Sequence, residues 1–168
     1  MSNSSIFLLD ANVLINAARH YYAFDIAPVF WDKLLIHADS GQLKSIDHVK
    51  DEINRGSDEL VDWINGSFID SFVPCDDALV LAKYAEIMVW SQSHVQYSPS
   101  AKAEFAQFDL ADSWLVAYAA VYNYVVVTHE EYNSTIRRRI PIPNVCDAFN
   151  VQYLNTFAML RYLRVRLG

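Results

Sequence analysis

Ile6-Phe7-Leu8-Leu9 is an apolar run that stops abruptly at Asp10, and Asn12 to His20 follows it with helical character. A short run of this kind, bounded by a carboxylate, reads as a buried strand. From Tyr21 to Pro28 the pattern breaks into a loop, and Val29 to Ala38 resumes helical spacing up to Gly41. Ile46, Val49 and Ile53 fall on one helical face that ends at Gly56, and Leu60 to Ile64 forms another short helix. Phe68 to Val73 alternates apolar and polar residues like a strand and ends at Pro74.

The second half repeats the alternation of helix and strand. Asp76 or Asp77 caps a long helix reaching Ser93, and Gln96 to Gln107, polar and rich in small residues, reads as a loop with a partial helix. Ala111 to Tyr122 is apolar nearly all round, the mark of a buried helix, and it leads straight into Tyr124-Val125-Val126-Val127-Thr128, a β-branched run suited to a central strand. Pro143 to Phe149 forms a short helix, Val151 to Leu154 a strand, and Thr156 to Leu167 a closing amphipathic helix that carries Arg161, Arg164 and Arg166. Helices alternating with short apolar strands imply an α/β fold with a central parallel sheet covered on both faces.

Composition narrows the functional classes. With 168 residues, 53% of them hydrophobic, the chain can bury one sizeable core and is too short for two. A single domain over 1–168 is expected. A net charge of −7 argues against binding nucleic acid through bulk electrostatics, but carboxylates gathered around divalent cations, with a local basic strip, can still act on a polyanion. Cys75 and Cys146 lack the spacing of a zinc site or a disulfide framework. Met1-Ser2-Asn3-Ser4-Ser5 lacks the basic flank and apolar stretch of a signal peptide, and Trp114 to Val127 is too short to span a bilayer. A cytoplasmic location, with no membrane partner, is the expectation.

Parallel strands present their C-terminal ends along one edge, so Asp10 and the residues after Val127 should share a side of the molecule. Thr128 and Glu130 point the same way if the chain stays extended, while Glu131 points elsewhere. Asp112 stands at the mouth of the buried helix. At roughly 100° per residue, Glu52 lies about a quarter turn from the centre of the apolar face of Ile46, Val49 and Ile53 and can border a cleft, whereas Asp51 lies nearly opposite and faces water. Asp10, Glu52, Asp112 and Glu130 are therefore candidates for one pocket. Like charges at close range require a cation, and hard oxygen donors suit Mg²⁺ or Mn²⁺. One ion, or two about 4 Å apart, could activate water for in-line displacement at a phosphodiester. Asn12 and Thr128 are candidates for orienting ligands, and Arg137-Arg138-Arg139 is the densest basic run available to phosphates.

Structural roles compete for several of these residues. Asp10 or Asn12 could cap the first helix, Asp109 could cap the helix after it with Asp112 serving its backbone N–H groups, and Glu52 could be a solvated surface acid. Among the histidines only His129 lies beside the proposed pocket. The cluster of Tyr21, Tyr22, Phe24, Phe30 and Trp31 reads as packing against a helix or a partner chain more readily than as a stacking surface for bases.

Leu8-Leu9-Asp10-Ala11-Asn12, Val49-Lys50-Asp51-Glu52-Ile53, Leu110-Ala111-Asp112-Ser113-Trp114-Leu115 and Val126-Val127-Thr128-His129-Glu130 occur in the order of the acidic motifs of the PIN-domain ribonuclease superfamily, which the chain resembles. Within it, the chain resembles the DUF4411 branch, also through Tyr21-Tyr22-Ala23-Phe24-Asp25-Ile26-Ala27-Pro28 and Ile142-Pro143-Asn144-Val145-Cys146. The resemblance implies a five-stranded parallel sheet, a Mg²⁺ or Mn²⁺ pocket, and endonucleolytic cleavage of RNA leaving a 5′-phosphate and a 3′-hydroxyl. It also implies the toxin role in a bacterial toxin–antitoxin pair, with an antitoxin protein as partner. In that reading Asp10, Glu52 and Asp112 hold metal, and Glu130 completes the shell, directly or through water, or positions the water. Many PIN domains have Asp where this chain has Glu130. Exposed aromatics and the habit of the superfamily favour a homodimer.

Two other classes stand beside this one. A haloacid-dehalogenase-like phosphatase also starts with a strand ending in Asp, but its chemistry needs a second Asp two residues later, where this chain has Asn12. A PIN-like binding module without turnover, acting through a protein partner, is the non-enzymatic alternative.

Overall fold

The computed structural model describes residues 4–168; the N-terminal stretch read above for a targeting signal lies partly outside them, at residues 1–3. Five parallel strands form one sheet in the order β3-β2-β1-β4-β5, with β1 (Phe7–Leu9) at its centre, β2 (Leu43–Ile46) and β3 (Phe72–Val73) on one side and β4 (Val125–Val127) and β5 (Tyr153–Leu154) on the other. Phe7 registers with both Leu43 and Val125, and Leu9 with Val127. Every residue of β1 and β4 is buried, so both faces are covered, as expected of a parallel sheet whose crossovers are helices.

Local chemistry explains most boundaries. Helix α1 (Ala11–Asn16) runs into a π-helical turn at Ala17–Tyr21, and α2 (Pro28–Asp39) starts on a proline and ends ahead of Gly41, whose φ of 81° turns the chain into β2. Helices α3 (Asp47–Ile53) and α4 (Glu59–Asn65) follow. The long α5 (Ala78–Ser93) is capped by Asp77, whose side chain accepts the Val80 N–H at 2.8 Å, and α6 (Pro99–Phe105) is capped by Ser98. The buried α7 (Ala111–Tyr122) packs on β2, β4 and α5. It stops at Asn123, whose left-handed φ of 58° is tolerated by an asparagine and turns the chain directly into β4. Helices α8 (Ile142–Ala148) and α9 (Thr156–Tyr162) complete the fold.

Three sequence expectations need correction. Leu43-Lys44-Ser45-Ile46 is a strand, and Ile46 closes it instead of opening the helix; four residues are too few to show an alternation, and Ile46 keeps helical spacing with Val49 and Ile53. Of Phe68 to Val73 only the last two residues pair as a strand, because Ile69–Ser71 forms a 3₁₀ turn and Phe68 stacks on Trp63. The last helix ends at Tyr162, so Arg164, with φ of 56°, and Arg166 lie beyond it.

The aromatic-rich loop packs on the core through Tyr22 and Phe24, which meet the buried Phe30 and Trp31, while Tyr21 is exposed. Phe24 stacks on Trp31 with ring centroids 4.1 Å apart, Trp31 meets Trp63 at 4.8 Å, and the Trp31 indole N–H donates to the Tyr22 carbonyl at 2.7 Å. The indole thus satisfies its donor while burying its rings, which fixes the loop against α2 and α4. Trp31→Ala should cost about 3–5 kcal/mol of unfolding free energy, read as a lowered denaturant midpoint with an unchanged slope.

Candidate functional site

Strand order increases outward from β1 on one side and from β4 on the other, so the crossovers diverge between these two strands, and a crevice opens at their C-terminal ends. Asp10 follows β1 and Thr128 follows β4 at this point. The Asp10 N–H donates to the Val127 carbonyl at 3.0 Å, the Thr128 N–H to the Leu154 carbonyl at 2.9 Å, and the buried Ser45 hydroxyl to the Leu9 carbonyl at 2.6 Å. The sheet ladder and one buried hydroxyl therefore fix the backbone that presents the Asp10 carboxylate. Thr128 Oγ1 then donates to Asp10 Oδ2 at 3.2 Å, which orients the carboxylate itself. The Asp10 carboxylate makes no regular side-chain capping hydrogen bond to α1, although the Ala11 and Asn12 amides lie close enough to favour its charge.

Asp10 is only 2% exposed, and its pKa is pushed up to about 6. Burial is the largest cause and the charge of Glu52 the second; the Thr128 hydroxyl and the N–H groups of Ala11 and Asn12 offset part of it. Asp112, on the first turn of α7, is pushed up to about 8 by burial and then by Asp10 and Glu52, with Arg139 pulling the other way. The half-buried Glu52 is raised by burial and lowered by Arg55, while Asp51 is exposed, as the helical phase predicts. Asp109, the alternative cap for α7, instead pairs with Arg55 at 3.1 Å.

Of these carboxylates Asp112 opens onto a cavity of about 480 Å³, lined also by Asn12, Glu104, Glu130, Arg138 and Arg139, among others. Arg137 is exposed and does not line it. Glu104, on α6, adds to the repulsion at Asp112 and carries no sequence signal beyond its charge; Ser45 is likewise invisible in sequence as a support of β1. Glu130 reaches the cavity but is engaged: it pairs with Arg139 and accepts the Ile142 N–H at 2.7 Å. A larger cavity of about 620 Å³ lies at the opposite end of the sheet beside Phe7, Val125 and Tyr162, where no group of carboxylates converges.

Among the described residues one trio of metal-ligating atoms lies within 4.8 Å of one another, that of Asp47, His48 and Cys75. Its carboxylate is already satisfied: Asp47 Oδ1 pairs with the His48 ring and N–H, both at 2.9 Å, and Oδ2 accepts the Cys75 N–H at 3.2 Å. Burial works against its charge, yet these partners together hold the Asp47 carboxyl below its usual value. The trio ties the tip of β2 to the segment after β3. Asp10, Glu52 and Asp112 are set farther apart but repel one another through a desolvated crevice, and such an all-oxygen anionic donor set fits a hard dication.

A family model described as a domain of unknown function, DUF4411, matches residues 7–167. The chain belongs to the DUF4411 family. Solved structures of similar fold include FitAB bound to an IR36 DNA fragment (TM-score 0.55, 18% identity, covering 89% of this chain and 94% of that one) and FitAcB from Neisseria gonorrhoeae (0.54, 16%, 90% and 99%). VapBC2 from Rickettsia felis bound to a DNA fragment from its promoter is a third (0.52, 15%, 89% and 98%). The DUF4411 chain thus has the PIN-like α/β architecture. No curated protein sequence matches it.

The raised carboxyls set a pH dependence. Asp10 and Asp112 hold protons in the folded, metal-free protein up to about 6 and about 8, while the unfolded chain releases them near 3.8. The folded state binds more protons across that window, so stability falls as pH rises from about 4 to about 8. Asp112→Asn should raise the melting midpoint in chelator at pH 8, by roughly 2–4 °C per kcal/mol of relieved repulsion, and flatten the profile; an unchanged profile would refute the repulsion.

Proposed function

We propose that this DUF4411 protein is a Mg²⁺- or Mn²⁺-dependent endoribonuclease, built as one PIN-like domain, that hydrolyses RNA phosphodiester bonds as the toxin of a toxin–antitoxin pair. The observation that carries the reading is the meeting of Asp10, Glu52 and Asp112 in one crevice at the switch point of the sheet, where two of them are pushed far above the ordinary carboxylate range. Structural carboxylates would be paired or exposed; Asp10 and Asp112 are desolvated and only partly compensated.

Asp10, Glu52 and Asp112 would hold the metal, which when bound supplies Lewis acidity at the phosphate and neutralises the charge that builds up there. Thr128 keeps one Asp10 oxygen oriented, and Asn12, exposed at the rim, offers an amide to substrate or solvent. Arg138 and Arg139 give a net acidic surface the local positive charge that a polyanion requires. The phosphatase reading is disfavoured by Asn12, which has no acidic proton to relay. In this proposal the enzyme is cytoplasmic; among the described residues no helix is long and apolar enough to cross a membrane. An antitoxin protein is the partner in this reading, in keeping with the fold likeness to FitAB and VapBC2, and self-association is the second contact to look for.

Purified protein should cut single-stranded RNA with Mn²⁺ and stop when chelator is added. Asp10→Asn and Asp112→Asn should each lower the rate at least about 100-fold. Cleavage that survives both substitutions would eliminate the assignment, and metal-independent RNA binding without turnover would favour the binding-module alternative.

A further inference from the structure

Glu130 occupies the fourth acidic motif, yet each of its carboxylate oxygens already accepts a hydrogen bond. Oε1 accepts from Arg139 Nη2, and Oε2 accepts the Ile142 N–H that opens α8. The Glu130 N–H donates to Thr128 Oγ1 at 3.1 Å, and that hydroxyl donates to Asp10 Oδ2 at 3.2 Å. Asp10 and Arg139 are therefore the two ends of one hydrogen-bonded relay through Thr128 and Glu130. Turning Glu130 toward a cation would break its ion pair and leave the first amide of α8 without its acceptor.

The two members of the pair differ in exposure. The Glu130 side chain is 16% exposed and that of Arg139 47%, so the acid is the anchored member and the guanidinium keeps N–H donors free for a ligand. Holding the Ile142 N–H explains the place of Glu130, whereas the half-exposed Arg139 gains little stability from the ion pair and remains available to a ligand. The positive charge of Arg139 is felt at Asp112, and both residues line the same cavity. A planar guanidinium is the side chain best suited to grip phosphate oxygens, and a chain of net charge −7 needs such a group where RNA enters.

We propose that Glu130 is a positioning residue and not a metal ligand: it holds the Arg139 guanidinium at the mouth of the acidic crevice, where Arg139 grips a non-bridging oxygen of an RNA backbone phosphate. This rests on the nuclease reading above and specifies how its site receives substrate.

The test compares Glu130→Gln, Arg139→Ala, Arg139→Lys, the Glu130→Gln/Arg139→Ala double variant and Asp112→Asn with wild type. Calorimetric titration gives Mn²⁺ affinity, anisotropy of a labelled RNA oligonucleotide in chelator gives binding and its salt dependence, and Mn²⁺-supported cleavage gives kcat and KM. Thermal melts confirm that each variant folds. Glu130→Gln should keep Mn²⁺ affinity within about twofold of wild type, whereas Asp112→Asn loses at least about tenfold. Arg139→Ala should raise KM about tenfold and reduce the salt slope of RNA binding by about one, and Arg139→Lys should recover part of the KM. Glu130→Gln should have no further effect in the Arg139→Ala background, because it acts through that residue.

Loss of Mn²⁺ affinity in Glu130→Gln to the extent seen in Asp112→Asn would make Glu130 a metal ligand and overturn the inference. So would an unchanged KM and salt slope in Arg139→Ala, or a full effect of Glu130→Gln in that background. A wild-type protein that neither binds Mn²⁺ nor cuts RNA would overturn the nuclease reading itself, which separates the two failures.

Discussion

Charge repulsion in a desolvated crevice is the constraint around which the rest of the molecule is arranged. Asp10 sits at the end of a strand whose residues are all buried, and the same sheet edge brings Glu52 and Asp112 toward it. A carboxylate in such a place is unfavourable unless something compensates it, and the relief on offer within the chain, the Thr128 hydroxyl, the two amides at the start of α1 and the more distant Arg139, offsets only part of the cost. The protein tolerates this because the sheet leaves the group no freedom to escape. The ladder to β4 and the Ser45 hydroxyl clamp the backbone on either side of Leu9, and the cost is carried by the core of packed aliphatic and aromatic side chains beneath it.

The same arrangement separates three kinds of carboxylate that a sequence cannot tell apart. Asp47 has both carboxylate oxygens hydrogen-bonded, by His48 and by the Cys75 amide, and ties β2 to the segment after β3. Asp10 and Asp112 have theirs largely unmet. Glu130 lies between these cases, matched by a guanidinium that itself faces the crevice. Environment, and not residue type, decides which acids are available to a cation.

Much of this was legible in the chain. The apolar run before Asp10, the β-branched run before Thr128 and the all-apolar α7 announce a parallel sheet, because strands buried on both faces must be continuously hydrophobic. Helical phase separated Glu52 from Asp51. What could not be read was decided by short elements and by side chains meeting across the fold. Strands β2 and β3 have four residues and two, below the length at which alternation can be recognised, and Ile46 fits a helix as well as a strand. The pairing of Glu130 with Arg139 joins residues nine apart through a loop with no periodicity, so nothing in the motif around Thr128 announces it.

The central claim is that Asp10, Glu52 and Asp112 form a cation site, and anomalous diffraction from Mn²⁺-soaked crystals tests it most directly. The account requires a peak bounded by these three carboxylates, with the Glu130–Arg139 pair intact beside it. A crevice without a peak at saturating Mn²⁺, or a peak at Asp47, His48 and Cys75 in its place, would contradict it.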